Sequence, residues 1–475
     1  MTTEPATPSS PAEGTETGPR PSSGGAGALD ELAVRARAEG FVRERLRIRS
    51  GRRVVEVDAR GRARAGALSP ADGATIADGA RRARDERVPF VIWLASSGAD
   101  ATQGAGALHG WAGAAREMSR NSGVVPQVAV VTGPAVSGPA LMLGLADVVI
   151  LTGEAYAFVS GPVMVRRFTG VPVDQATLGG ADVHTRTSGV ATFVAADASE
   201  AAELVDAVLA FLPDHTDTDP PSLVCDDPVD RPVPEAYEVL PDSPTGAYDV
   251  RQVLAAVVDH GDLLEHHAEW ATNLITAFAR IGGRPVGLVA NQPLSLAGTL
   301  DITASRKGAR FVAFCDAFNL PLVTFVDTSG FYPGKDLEWR GMIRYGAQMA
   351  FAYARATVPR VNVTLRKSYG GAYIVMDSKR MGNDVALAWP SAEIAVMGAK
   401  GAVEILHRRA DPAERLELER RYEERLLNPY IAAERGTVDA VIDPADTRRE
   451  IHEALEMLLA KREKLPRRRH DNTPL

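Results

Sequence analysis

Short runs of apolar residues recur along the chain and fall into two similar series. Val54–Val57 (VVEV) and Val286–Val289 (VGLV) are apolar and β-branched, which is typical of strands. The runs PFVIWL from Pro89 and PLVTFV from Pro321 are continuously apolar, as expected for parallel strands covered on both faces. The intervening stretches ATIADGARRARDERV and ASRKGARFVAFCDAFN are compatible with helices. The pattern predicts alternating strands and helices, and therefore an α/β fold.

The two series are copies of each other. SGRRVVEVDARGRARAGAL from Ser50 aligns without a gap with GGRPVGLVANQPLSLAGTL from Gly282. The same offset carries PFVIWLASSG onto PLVTFVDTSG, and after one residue of slippage VPQVAVV lies on VPRVNVT. Self-similarity over so long a register indicates an internal duplication. Repeating β-β-α units of this kind are expected to pack into a spiral of parallel sheets.

Composition divides the chain further. Residues 1–29 are rich in Pro, Ser, Gly and Thr and are predicted to be a disordered tail. We expect one domain over residues 30–240 and a second over residues 241–464, followed by a solvated basic tail over residues 465–475. A Pro- and Asp-rich stretch at about residues 214–246 is the expected connector.

Charge and cysteine content exclude several classes of protein. The net charge of -8 argues against a nucleic-acid partner, and no segment resembles a signal peptide or a membrane span. The two cysteines, Cys225 and Cys315, form neither a disulfide framework nor a four-cysteine zinc site, which favours a reducing, cytoplasmic location. The nine histidines are scattered, and the His266-His267 pair lacks the spacing of a metal site, so no metal is expected.

Long stretches of the second copy resemble a known family. They are RIGGRPVGLVANQPLSLAGTLDI, KGARFVAFCDAFNLPLVTFVDTSGFYPG, VTLRKSYGGAYIVM, AWPSAEIAVMG and NPYIAAERGTVDAVI. The first copy matches less closely, through NSGVVPQVAVVTGP and LGGADVHTRTSGVA. These motifs resemble the carboxyltransferase β subunits of biotin-dependent acyl-CoA carboxylases. The resemblance implies two tandem crotonase-like domains and an enzyme that moves a carboxyl group from carboxybiotin to the α-carbon of an acyl-CoA.

The resemblance places the biotin side of the reaction in the second copy. Carboxyl transfer develops negative charge on the ureido oxygen of biotin and on the thioester oxygen of the enolate, and fixed main-chain donors suit both. By resemblance, the N–H groups of Gly371 and Ala372 would hold the ureido oxygen. Tyr369 and Gly370 belong to the same turn, and Ile374 occupies a position that influences acyl preference in related enzymes.

The acceptor side falls in the first copy, where the sequence departs from the family. Ser137-Gly138 stands level with Gly370-Gly371 and would hold the thioester oxygen, but Pro139 carries no N–H. A hole built from residues 138 and 139 has lost one donor, which costs about 3 kcal/mol in other enzymes, whereas a hole built from residues 137 and 138 survives. The family's DSGGAR appears here as ASSGAD, in which Ser97 and Gly98 are the expected substrate-binding residues and the arginine has become Asp100.

The resemblance also implies partners. A separate biotin carboxylase and biotin carrier protein are expected, because the chain shows no biotin-attachment sequence and no ATP-grasp signature. We expect a homo-hexamer or a mixed hexamer, with the active site where the first copy of one subunit faces the second copy of another. Two alternatives stay open: a biotin-dependent decarboxylase component, and a non-catalytic subunit of a mixed assembly.

Overall fold

The computed structural model describes residues 40–474, except for residues 62, 244, 462 and 468. The predicted tail of residues 1–29 lies outside this range. The described chain builds two mixed sheets, one from each predicted copy.

The first sheet contains seven strands in the spatial order β1-β2-β3-β4-β5-β7, with β6 beside β4. Its first two strands form an antiparallel hairpin and the remaining pairs are parallel. The strands are β1 (Arg43–Arg49), β2 (Arg52–Arg60), β3 (Phe90–Ser96), β4 (Gln127–Val136), β5 (Val148–Thr152), β6 (Tyr156–Phe158) and β7 (Phe193–Ala195).

The second sheet repeats this plan in the order β15-β13-β12-β11-β10-β9-β8, with β14 beside β12. Strands β9 and β10 form the antiparallel hairpin that corresponds to β1 and β2. The strands are β8 (Leu264–Glu265), β9 (Leu274–Ile281), β10 (Arg284–Asn291), β11 (Leu322–Thr328), β12 (Arg360–Tyr369), β13 (Val385–Ala388), β14 (Glu393–Ala395) and β15 (Ala440–Val441). The predicted duplication is therefore confirmed at the level of topology.

Helices connect the parallel strands and cover the sheets. In the first half they are α1 (Pro70–Glu86), α2 (Ala105–Asn121), α3 (Gly138–Leu143), α4 (Pro162–Thr169), α5 (Gln175–Gly179), α6 (Ala181–Val183) and α7 (Ala198–Leu209). The connector and the second half contain α8 (Glu235–Glu238), α9 (Val250–Val257), α10 (Ile302–Ala317), α11 (Lys335–Trp339), α12 (Met342–Arg355), α13 (Gly370–Val375), α14 (Ala399–Leu406), α15 (Pro412–Leu426), α16 (Pro429–Glu434) and α17 (Thr447–Leu458).

Side-chain caps decide where the first long helix of each half begins. Ser69 accepts from the Asp72 N–H at the start of α1, and the Asp72 carboxylate reaches back in a capping box. At the matching position before α10, Asp301 accepts from the Ala304 N–H. Both helices therefore begin earlier than the helix-compatible stretches in the sequence suggest.

The two halves share one apolar core in addition to a core of their own. The shared cluster joins Val91, Trp93 and Val130 of the first sheet to Phe278 and Phe311 of the second half. Separate clusters fill the first half around β3 and α1 and the second half around β10 and β12. Burial of this shared apolar surface stabilises one arrangement of the halves.

The connector and the C-terminal segment both pack on the second half. Val233 in the connector is buried and its N–H donates to Ala445 O at 2.8 Å. The segment expected to be a solvated tail also makes contacts, because Asp471 pairs with Arg355 and Gln348 Nε2 donates to Pro474 O at 2.9 Å. The domain boundaries at residues 30, 241 and 465 remain predictions.

Among the described residues, none of the helices combines the length and the apolar character needed to cross a bilayer.

Candidate active site

A left-handed turn occupies the same place in each half, between the first parallel strand and the long helix. Residues 64–66 have φ values of 50°, 51° and 73°, and residues 296–298 have 48°, 51° and 68°. A side chain on the closing glycine would collide with the carbonyl oxygen of Ala95 in the first half or Asp327 in the second. The first copy therefore forms the same backbone shape from RAGAL that the second copy forms from LAGTL.

A second left-handed turn follows the next strand in each half. Gly98 has a φ of 115° and Gly330 a φ of 138°. Their N–H groups donate to the side-chain oxygens of Ser96 at 3.2 Å and Thr328 at 3.4 Å. Ser97, the other predicted substrate-binding residue here, is exposed beside Gly98. The strand-end hydroxyls thus hold the two turns in the same conformation.

These turns lie against the start of the third-strand helix. A Cβ on Gly98 would stand 3.2 Å from Val136 O and 3.7 Å from the Ser137 Cβ. A Cβ on Gly371 would stand 3.1 Å from the Phe331 ring, which follows the equivalent turn in the second half. The structure therefore brings together the segments around residues 98 and 138, and those around residues 331 and 371.

The strand-to-helix turns themselves have matching backbones. Ser137, before α3, has a φ of 61°, and Gly370, at the start of α13, has a φ of 58°. Neither helix receives a side-chain cap, so its first N–H groups have no helical or capping partner. In the second half Gly371 is exposed, whereas Ala372 is buried. An exposed, uncapped amide with the helix dipole behind it is a donor for an anionic oxygen.

The first half offers fewer donors at this turn. The Ser137 N–H already donates to Phe158 O at 3.0 Å, and Pro139 has none to offer. The Gly138 amide remains, but Gly138 is buried, and a Cβ there would lie 2.8 to 3.0 Å from the Trp111 indole. Ser137 is therefore not free to serve as a donor, and the Trp111 indole packs against the Cα of Gly138, the one remaining donor residue.

The acid that replaces an arginine in the first half is neutralised locally. Asp100 is buried and accepts from the Thr102 N–H at 3.0 Å and the Thr102 hydroxyl at 2.7 Å. It also forms an ion pair with Arg64, which belongs to the first left-handed turn. The Thr102 hydroxyl and the Arg64 guanidinium hold the pKa of Asp100 below its usual value. The acid and an arginine thus face each other beside the predicted acceptor site.

The other predicted residues of the biotin side differ in exposure. Tyr369 is buried, burial raises the pKa of its phenol, and its hydroxyl is bonded to Glu393. Ile374 is 48% exposed on the outer side of α13, and Leu141, at the matching position of α3, is 50% exposed. An apolar side chain therefore projects from each helix one turn beyond its predicted donor.

A buried ion pair supports the turn in the second half. Arg366 Nε donates to Asp327 Oδ2 at 2.7 Å, and the Tyr248 hydroxyl donates to the same oxygen at 2.9 Å. The Lys367 N–H donates to Asp327 Oδ1 at 3.2 Å, which ties the end of β11 to β12. Asp327, Trp111 and Phe331 were missed by the sequence analysis. Asp327 carried a signal, since it is the one charged residue in a strand that is mostly apolar.

The duplicated spiral and its uncapped helix starts define a class of protein. Two copies of a crotonase-like fold each place main-chain donors beside a glycine turn, an arrangement that stabilises oxyanions in acyl transfer. The model of the "Carboxyl transferase domain" family matches residues 46–473. The chain belongs to this carboxyltransferase family, which confirms the fold and the activity predicted from its motifs.

Individual relatives support the same family assignment. The methylmalonyl-CoA carboxyltransferase 12S subunit of Propionibacterium freudenreichii subsp. shermanii is 46% identical over 81% of this chain and 75% of that protein. The propionyl-CoA carboxylase beta chain of Saccharopolyspora erythraea is 45% identical over 82% of this chain and 74% of that protein. A solved structure of transcarboxylase 12S superimposes with a TM-score of 0.90 at 42% identity, covering 92% of this chain and 86% of that one. The chain is accordingly a carboxyltransferase acting on acyl-CoA in the biotin-dependent carboxylases.

Proposed function

We propose that the two halves of this carboxyltransferase divide the reaction between them, with biotin handled by the second half and the acyl thioester by the first. The Gly371 and Ala372 amides at the start of α13 stabilise the ureido oxygen, and the Gly138 amide at the start of α3 stabilises the thioester oxygen. Carboxybiotin supplies the activated carboxyl group when its carrier docks. The chain's own contribution is to orient donors at the two places where charge develops.

One observation carries this assignment: the same uncapped strand-to-helix turn occurs twice, and it is open in the second half. Gly371 is exposed and lies at the start of an uncapped helix, so a ligand has access to this turn. Donors held by backbone geometry need no reorganisation during the reaction. The turn therefore fits the ureido group through its shape as well as through its charge.

The proposal includes partners and an assembly. Biotin would arrive on a separate carrier protein charged by a biotin carboxylase subunit. The solved transcarboxylase 12S structure is described as a hexamer assembly with methylmalonyl-CoA bound. We propose the same assembly for this chain, as a homo-hexamer or a mixed hexamer, with each active site between the first half of one subunit and the second half of another. Two free thiols, Cys225 and Cys315, are in keeping with the proposed cytoplasmic location.

A second candidate function rests on the first half. The Ser137 N–H is occupied, Pro139 offers no N–H, and Gly138 is buried against Trp111, so the acceptor side presents a single main-chain donor in a buried position. This observation favours a non-catalytic subunit that pairs with an intact homologue, contributing its biotin side to a mixed active site. The purified chain, supplied with a charged carrier and a panel of acyl thioesters, distinguishes the two functions. Carboxylation of any thioester by the chain alone excludes the second.

Substitution at Gly371 tests the biotin side. Gly371→Pro removes the N–H while placing proline in the first helical turn, where the ring is tolerated. We expect kcat/KM for carboxyl transfer to fall about 100- to 1,000-fold, as on loss of one oxyanion-hole donor. The assay follows labelled carboxyl from the carrier to the acyl thioester, with the mass of the assembly in solution as a check on folding.

Gly371→Ala is the matched control because it adds a Cβ and keeps the N–H. Its Cβ would stand 3.1 Å from the Phe331 ring, so only a small shift of that ring is required. We expect this variant to retain most of its activity. Full activity of Gly371→Pro would refute the proposed role of the amide, and equal loss in both variants would assign the effect to crowding.

A further inference from the structure

Three metal-ligating groups meet where the connector crosses the start of the second half. The Cys225 thiol, the Asp226 carboxylate and the His260 imidazole have their donor atoms within 4.8 Å of one another. Cys225 Sγ lies 3.8 Å from His260 Nε2, and His260 Nε2 lies 3.1 Å from Asp226 Oδ1. No metal was expected from the sequence, in which His260 follows Cys225 by 35 residues, and that separation is not a recognisable ligand spacing.

Two of the three separations between these donors are close to the edges of a tetrahedron around zinc. With Zn–S near 2.3 Å and Zn–N and Zn–O near 2.0 to 2.2 Å, the sulfur-to-nitrogen edge is about 3.6 Å and the nitrogen-to-oxygen edge about 3.4 Å. The observed values of 3.8 and 3.1 Å differ from these by only a few tenths of an ångström. Small rotations of the exposed Asp226 and His260 side chains are enough to close the difference.

The backbone that carries the donors is fixed by buried polar contacts. Arg448 is fully buried and donates to Asp259 Oδ1 at 2.7 Å and to Asp227 O at 3.2 Å. The His260 N–H donates to Asp227 Oδ2 at 3.0 Å. Asp227, next to Asp226, and Asp259, next to His260, are therefore both anchored to one arginine, which lowers the entropy cost of ordering the backbone around an ion.

We propose that Cys225, Asp226 and His260 bind a zinc ion, with a water molecule as the fourth ligand. Binding replaces the thiol proton, which is released to solvent, by the metal. One thiolate and one imidazole select zinc over magnesium and calcium, which take oxygen ligands. The ion would fasten the connector between the halves to the turn after α9, in a region separate from the carboxyl-transfer turns and independent of the proposed division of the reaction.

Cobalt substitution tests the site directly. Untagged full-length chain, stripped with a chelator under reducing conditions, is titrated with Co²⁺, and the thiolate-to-cobalt charge-transfer band is recorded together with the visible d–d bands. We expect one equivalent of thiolate-bound, tetrahedral cobalt per chain, and we expect zinc to bleach the bands by displacement. The charge-transfer band reports only ions that contact a cysteine sulfur, so ions on surface histidines do not contribute.

The second cysteine provides the matched control. We expect Cys225→Ser to abolish the charge-transfer band and His260→Gln to weaken cobalt binding by at least about tenfold, since loss of even a supporting residue costs 10- to 100-fold in other sites. Cys315→Ala removes the other thiol, which is buried in the core shared by the halves, and should leave the spectrum unchanged. His407→Gln, at an exposed histidine, replaces that control if the Cys315 variant does not fold.

Two results would overturn the site. One is a wild-type chain that shows no charge-transfer band when cobalt is in excess. The other is a band that persists in Cys225→Ser, which would place the bound ion elsewhere.

Discussion

Ser137 adopts the backbone conformation that Gly370 adopts in the other half, although it carries a Cβ. Its φ of 61° and ψ of -118° lie in a sparsely populated region, which costs a non-glycine residue about 1–3 kcal/mol. The Phe158 O that accepts its N–H and the Leu141 N–H that donates to its own carbonyl hold it there. Backbone strain is therefore retained at Ser137, just before α3. Strain of this kind is expected where the backbone conformation of a turn, rather than its side chain, serves the function.

Pro139 is the residue at which this turn can be repaired. Ala372 provides an N–H at the matching position of α13, so Pro139→Ala restores the donor that the first half lacks. We expect kcat/KM for carboxyl transfer to an acyl thioester to rise about 100-fold, the lower end of the range for one oxyanion-hole donor.

The control restores an N–H at a helix start that carries no predicted donor. Pro162 opens α4, and Pro162→Ala should leave kcat/KM unchanged. Unaltered activity in Pro139→Ala would show that the acceptor hole does not use residue 139.

At the residue scale, the sequence indicated where the candidate turns lie but not which residues contact them. The motif around Gly371 located an exposed, uncapped helix start, because glycine and the preceding strand are both visible in sequence. The occupied amide of Ser137 and the ring of Trp111 over Gly138 depend on partners tens of residues away. Contacts of that kind follow from the packing of α2 and β6 and have no local signal.

At the scale of elements, the duplication predicted the parallel strands and missed the hairpin that precedes them. Strands β1 and β9 were not expected, although each is joined to its neighbour by a two-residue turn, Ser50-Gly51 and Gly282-Gly283. All four of these residues have positive φ, which is the conformation that short hairpin turns require. The signal was present in the sequence, but the charged pattern of β1, RERLRIR, concealed the strand.

Asp327 bonds to residues of several elements of the second half. Its replacement should therefore lower the stability of the fold. The Arg366 and Asp327 side chains are 10% and 4% exposed, so Asp327→Ala leaves a buried guanidinium without its carboxylate. We expect the free energy of unfolding to fall by about 3–5 kcal/mol, as for other broken buried ion pairs. Urea denaturation followed by circular dichroism measures the change.

An exposed pair on α11 gives the comparison. Arg340 and Asp336 are 60% and 76% exposed, so Asp336→Ala should cost less than about 1 kcal/mol. Similar losses in the two variants would mean that burial does not govern the Asp327 pair.

At the scale of the whole molecule, two copies of one fold have diverged around a common core. The second half has an exposed Gly371 and a buried ion pair that supports its turn, whereas the first half has Ala95 in place of Asp327 and a buried Gly138. The halves retain a common apolar cluster while the residues of their turns differ, because function resides in the site residues rather than in the fold. Duplication thus explains why the fold could be predicted from the sequence. The contacts at the first-half turn could not be predicted, because they differ from those of the second copy.

A histidine pair lies in the junction between the halves. His267 Nε2 contacts Gly189 O at 3.1 Å, and the His267 N–H donates to Thr192 O at 3.3 Å, so this residue of the second half is bonded twice to the first. Its Nδ1 lies 2.9 Å from His266 Nδ1. If Nε2 donates to the Gly189 carbonyl, Nδ1 must accept from His266, and this arrangement requires the His267 ring to be neutral.

The junction should therefore weaken in acid. Burial lowers the pKa of His267 to about 3, with Lys307 adding to the effect, against about 6.5 in the unfolded chain. The unfolded chain takes up the proton first as the pH falls, so the stability contributed by neutral His267 is complete above about pH 6.5 and is lost between pH 6.5 and 3. We expect a loss of about 2 kcal/mol at pH 5 from this residue, measured by urea denaturation at pH 5 and pH 8.

His267→Gln keeps a side-chain donor near Gly189 O and removes the titrating ring. We expect this variant to be less stable than the wild type at pH 8, where the native packing is intact, and to lose about 2 kcal/mol less between pH 8 and pH 5. Each protein is compared with itself at the two pH values, so the pH-independent effect of the substitution on stability cancels. If the variant loses as much stability as the wild type over this range, the acid sensitivity of the molecule originates outside the junction between its halves.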